Sequence, residues 1–86
     1  MQTNEITDFD IIKRTIVGWW DSEEQPEYIE VARVVDSFIS HMKQIEKLPN
    51  WTALVCQMAI DVLEYTNVQN NFTENSTRQL DEFRRV

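Results

Sequence analysis

The sequence predicts an all-α fold, a small three-helix bundle with a short C-terminal fourth helix or tail. Three observations carry that prediction. Apolar residues recur at spacings of three and four along most of the chain, there is a single glycine, and the two prolines, Pro26 and Pro49, fall between the periodic segments. With 86 residues, 42% of them apolar, and three tryptophans, the chain has material for one hydrophobic core and no more, so we expect one helical domain over residues 1–86.

The first helix is expected over residues 8–20. Thr7 is placed to cap it, Asp10 stands in its first turn, and Ile6 can staple to Ile11. Phe9, Ile12, Ile16 and Trp19 form one apolar stripe, and Gly18 with Asp21 and Ser22 weakens the helix near Trp20. Adjacent residues on a helix point about 100° apart, so Trp19 and Trp20 do not easily enter one core, and one of them should be partly exposed.

The second helix is expected over 26–47, entered through the acid-rich run Asp21 to Pro26. Tyr28, Val31, Val35, Phe38, Met42 and Ile45 repeat at three and four residues, a heptad-like seam that serves either as the core stripe of a bundle or as the interface of a homodimer. The third helix, expected over 50–68 with Asn50 as its cap, carries Trp51, Leu54, Val55, Met58, Ala59, Val62, Leu63 and Val68. Gln57, Asp61 and Glu64 make nearly its only polar stripe, so it should be covered on two sides, by the other two helices or by a second subunit. The Asn- and Thr-rich stretch from Asn67 to Thr77 reads as a loop, followed by a short helix capped by Ser76 and carrying Leu80 and Phe83, within a tail over 69–86.

Charge and cysteine usage narrow the function classes. The formal charge is −7, and residues 1–30 hold eight acids against two bases. A chain of that sign repels phosphate backbones and attracts basic protein surfaces, so direct nucleic-acid binding is not expected. One cysteine forms no internal disulfide, no signal-peptide pattern opens the sequence, and no apolar run is long enough to span a membrane; a cytoplasmic protein is the expectation. On the same grounds the three Asn-x-Thr triplets, at Asn50, Asn71 and Asn75, read as composition.

No catalytic, cofactor or metal motif is expected. Cys56 lies in an apolar helical run and reads as a core thiol, and His41, the one histidine, reads as a boundary residue. A single glycine excludes a Gly-rich phosphate loop, and the third helix lacks any Lys or Arg with which to read DNA. Glu24, Glu27 and Glu30 recur every three residues, and Asp61 with Glu64 repeats that interval. These carboxylates read first as solvated helix faces. Their spacing also resembles the paired Glu-x-x-Glu and Glu-x-x-Asp motifs of all-α nucleoside-triphosphate pyrophosphohydrolases of the MazG type, and that resemblance implies magnesium held between two helices.

The leading functional expectation is a non-enzymatic interaction module that binds a basic, nucleic-acid-handling protein surface through Trp20, Asp21, Glu23, Glu24, Glu27 and Glu30. Small acidic helical proteins of this kind include phage-encoded inhibitors and bacteriocin-immunity-like proteins, so a small phage or bacterial inhibitor or regulator is the expectation. A homodimeric assembly protein and the magnesium-dependent pyrophosphohydrolase are the alternatives.

Overall fold

The computed structural model describes residues 9–22, 26–66 and 71–85, and among these it has four helices and no strand. They are α1 (Phe9–Ser22), α2 (Tyr28–Gln44), α3 (Thr52–Tyr65) and α4 (Asn71–Arg84). The cap and staple expected of Thr7 and Ile6 lie outside the described residues. No described helix is long and apolar enough to cross a membrane.

Side-chain contacts fix the helix directions. Phe9 stacks on Phe38 at 5.7 Å and lies 4.9 Å from the Trp51 ring, so the start of α1 meets the later half of α2 and the start of α3. At the other end Trp20 reaches Asp61, so α1 and α3 run parallel and α2 runs against both. Arg84 bonds Gln57, which sets α4 antiparallel to α3. The α1–α2 hairpin therefore lies on the α3–α4 hairpin, α1 against α3 and α2 against α4, while α2 and α3 are diagonal and barely touch. Residues 45–51 make the diagonal crossing. Ile45 is already extended (φ −92°, ψ 128°), and α2 stops at Gln44 rather than at 47.

The core is assembled from one stripe of each helix: Ile12 and Ile16; Val31, Val34, Val35, Phe38, Ile39 and Met42; Val55, Cys56, Ala59, Ile60, Val62 and Leu63; and Leu80. Glu30, Arg33, Asp36, Ser40 and Lys43 face water on the far side of α2, as an amphipathic helix requires. At the end of α3 the buried Thr66 hydroxyl donates to the Leu63 carbonyl at 2.7 Å, satisfying one of the last-turn acceptors.

Two expectations are corrected. The Asn- and Thr-rich stretch is helical from Asn71 onward, Ser76 is a buried interior residue of α4 rather than its cap, and α4 is a full helix packed on α3 instead of a short one or a tail. The broad apolar surface of α3 is indeed covered on two sides, but by α1 and α4. The diagonal arrangement leaves α2 to meet it only in the centre of the core, where Met42 touches Cys56.

Gly18 sits inside α1 with nothing within 4 Å of where a Cβ would lie. A helical glycine costs roughly 0.5–1 kcal/mol relative to alanine. Gly18→Ala is accordingly expected to stabilise the fold by about that amount and to raise Tm by roughly 2–8 °C, measured by thermal unfolding. A lower Tm would show that the space is taken.

Candidate functional site

The helix directions sort the charges. The C-terminal ends of α1 and α3 and the N-terminal ends of α2 and α4 meet at one end of the bundle, bringing Asp21, Glu27, Glu30, Asp61, Glu64 and Glu74 together. Arg33, in the second turn of α2, and Arg78, midway along α4, are the cations nearest this end among the described residues. Lys13, Arg14, Lys43, Lys47, Arg84 and Arg85 lie toward the other end. Two helix N-termini and two C-termini meet at each end, so the backbone dipoles largely offset one another. The negative field of the first end therefore comes from its side chains.

At that end, α1 and α3 enclose a cleft of about 150 Å³ lined by Trp19, Trp20, Asp61, Val62 and Tyr65. The 100° step between the two indoles is resolved by sending Trp19 against the core and leaving Trp20 45% exposed. The Trp20 Nε1–H donates to Asp61 Oδ2 at 3.3 Å, and Gln57 Nε2 donates to Asp61 Oδ1 at 3.0 Å. The Gln57 carbonyl oxygen accepts from Arg84, and Arg84 and Arg85 both hold Asp81, the latter at 2.9 Å. The narrow polar stripe of α3 thus becomes a chain of polar contacts running from α4 to the lip of the cleft. Tyr65, 50% exposed, forms the opposite wall.

Of the residues expected to bind a partner, Trp20, Asp21, Glu27 and Glu30 share this end, and all four are exposed. Glu23 and Glu24 lie outside the described residues. Of the six seam residues, Val31, Val35, Phe38 and Met42 are buried in the chain's own core and have no surface left for a second subunit, while Tyr28 and Ile45 are half-buried. Tyr65, the pairing of Asp61 with Trp20, and Glu74 were not anticipated. The sequence does hold a signal for Tyr65: Trp51, Leu54, Met58, Asp61 and Tyr65 recur at three and four residues along one flank of α3.

The remaining reactive groups are engaged elsewhere. The His41 Nδ1–H donates to the Ser37 carbonyl at 2.8 Å, and its ring stacks on Phe9 at 5.9 Å. The Cys56 thiol lies 3.7 Å from Met42 Sδ across the diagonal of the core. Burial pushes its pKa up from 9.0 to about 12, against a smaller opposing pull from Arg84. Above the unfolded thiol's pKa, the unfolded chain holds fewer protons than the native one, so stability falls as pH rises. The slope from this group approaches about 1.4 kcal/mol per pH unit and ends near the folded value. Denaturant unfolding above pH 9 is expected to show that slope in the native chain and a shallower one in Cys56→Ala.

Among the described residues no three His, Cys, Asp or Glu side chains gather to hold a metal ion. In the arrangement that resembles a magnesium motif, Asp61 is bonded to Trp20 and Gln57, and Glu24 lies outside the described residues. A larger groove of about 690 Å³ between α3 and α4 mixes Glu64, Glu74 and Asp81 with Arg78 and Arg84, and so offers no single charge to a ligand. No protein-family model, no curated protein and no solved structure matches this chain.

Proposed function

We propose that this protein is a non-enzymatic binding module whose acidic end receives a basic surface of another protein. The reading rests on one juxtaposition: an exposed indole, Trp20, bonded to Asp61 at the end of the bundle that also carries Asp21, Glu27, Glu30 and Glu64. Aromatic side chains supply contact area at small entropic cost, and surrounding carboxylates steer a cation-rich partner toward it. A partner of that charge is typically one that handles nucleic acid, so the carboxylates would stand where phosphates otherwise bind, and the protein would act by occupying that surface as an inhibitor or regulator.

The test is capture of basic proteins on the immobilised chain at low and high salt, with Asp21, Glu27 and Glu30 reversed to lysine as the comparison. Capture that is lost on reversal, weakens with salt and competes with nucleic acid supports the reading. Equal capture by both chains refutes it.

A second reading, a homodimer, is favoured by the outward flank of α3, where Leu54 is 60% and Tyr65 50% exposed along the Trp51–Tyr65 repeat. Sedimentation separates the two. A dimer insensitive to salt and disrupted by Leu54→Glu would favour self-assembly, which in this fold would use that flank rather than the α2 seam.

A further inference from the structure

We propose that the cleft between Trp20 and Tyr65 takes a single arginine side chain of the partner, its guanidinium stacked on the Trp20 indole and forked onto the Asp61 carboxylate. This rests on the basic-partner reading and gives it a specific point of contact.

Asp61 is the half-buried acid whose charge the described residues leave uncompensated. Asp81, also half-buried, is held by Arg84 and Arg85, and the exposed Asp10 by Arg14, whereas Asp61 has two neutral donors, an indole and an amide. Each carboxylate oxygen has about two acceptor positions, so those two bonds leave acceptor capacity on both oxygens, which a bidentate guanidinium can use. The walls suit the same group. Trp20 from α1 and Tyr65 from α3 line the cleft together with Asp61, and a guanidinium over an indole face is attracted by the ring quadrupole.

Size and charge select further. A cavity of about 150 Å³ elsewhere accommodates a six-carbon ring, so this cleft of about 150 Å³ has room for the end of one side chain. Asp21 and Glu64 nearby disfavour any anion. Arginine is preferred over lysine because its planar, weakly hydrated head can stack and fork at once, while an ammonium keeps its water and makes a point contact.

The experiment uses the full chain, labelled with nitrogen-15, titrated at low salt with three blocked tripeptides of the form Gly-X-Gly, where X is arginine, lysine or the uncharged arginine isostere citrulline. The expected result is a saturable shift of the Trp20 indole N–H resonance with the arginine peptide, a weaker one with lysine and none with citrulline, while the Trp51 indole stays still. Asp61→Asn keeps an acceptor for Trp20 and removes the charge; it is expected to weaken the arginine peptide at least tenfold. Tyr65→Leu, at a more exposed position, is the second variant should the first lose its fold, with a several-fold loss expected. If the backbone signals of Asp21, Glu27 and Glu30 respond to both cationic peptides while Trp20 does not, the cleft assignment is wrong and the basic-partner reading survives. If neither region responds, both are wrong.

Discussion

Leu80→Ala is expected to lower the unfolding free energy by about 2–5 kcal/mol, the range for deleting a fully buried leucine side chain. Leu80 has no exposed surface, and with the small Ser76 it makes up the fully buried part of α4 among the described residues. The first half of that helix has little helical preference of its own. Asn71, Thr73, Asn75, Ser76 and Thr77 are all residues whose side chains compete for the backbone, so α4 persists through its packing on α3. A domain of this size has roughly 5–13 kcal/mol in total, so the substitution removes a large share of it. Its effect also spreads, because α4 covers the flank of α3 that carries Ile60 and Gln57. Urea unfolding followed by circular dichroism and tryptophan fluorescence measures the change. A loss below about 0.5 kcal/mol, the size expected of a surface substitution, would mean that α4 is not part of the core.

The same residues explain what the sequence conceals. The first three helices are legible because their buried stripes are large and apolar, and Phe9, Ile12, Ile16, Val31, Val35, Phe38 and Met42 could be placed by spacing alone. The inner face of α4 has the same periodicity, but Thr73, Ser76 and Thr77 occupy positions where a hydropathy pattern expects leucine or valine. Tertiary contact overrides propensity there, and local chemistry reads as a loop. The acidic end was half legible. Asp21, Glu27 and Glu30 are close in sequence, whereas Asp61, Tyr65 and Glu74 join them only because α3 runs parallel to α1 and α4 returns against α3. Helix direction and neighbour order are set by long-range contacts such as Phe9 on Trp51, which no local pattern encodes.

Reversing Asp21, Glu27 and Glu30 to lysine is expected to abolish capture of a basic partner, and position rather than net charge should be the cause. Each exposed carboxylate contributes about 0.2–1 kcal/mol to a single ion pair, so neutralising one would be hard to detect. Reversal changes each site by two charges and turns attraction into repulsion beside Trp20. Electrostatic steering alone accounts for a tenfold or greater change in association rate. The matched variant reverses Asp36, Glu46 and Glu82, exposed acids away from that end, and has the same net charge; it should bind as the native chain does. Glu27 and Glu30 also sit at the N-terminal end of α2, where lysine is unfavourable by about 0.3–1 kcal/mol each. The glutamine versions of the three residues remove charge with less strain on that helix, and their capture should fall between the native and reversed chains. Capture lost equally in the matched variant would show that overall charge governs binding and that the acidic end has no special role. Capture lost only in the reversed chain, with circular dichroism unchanged, would place the partner on the end of the bundle that carries Trp20.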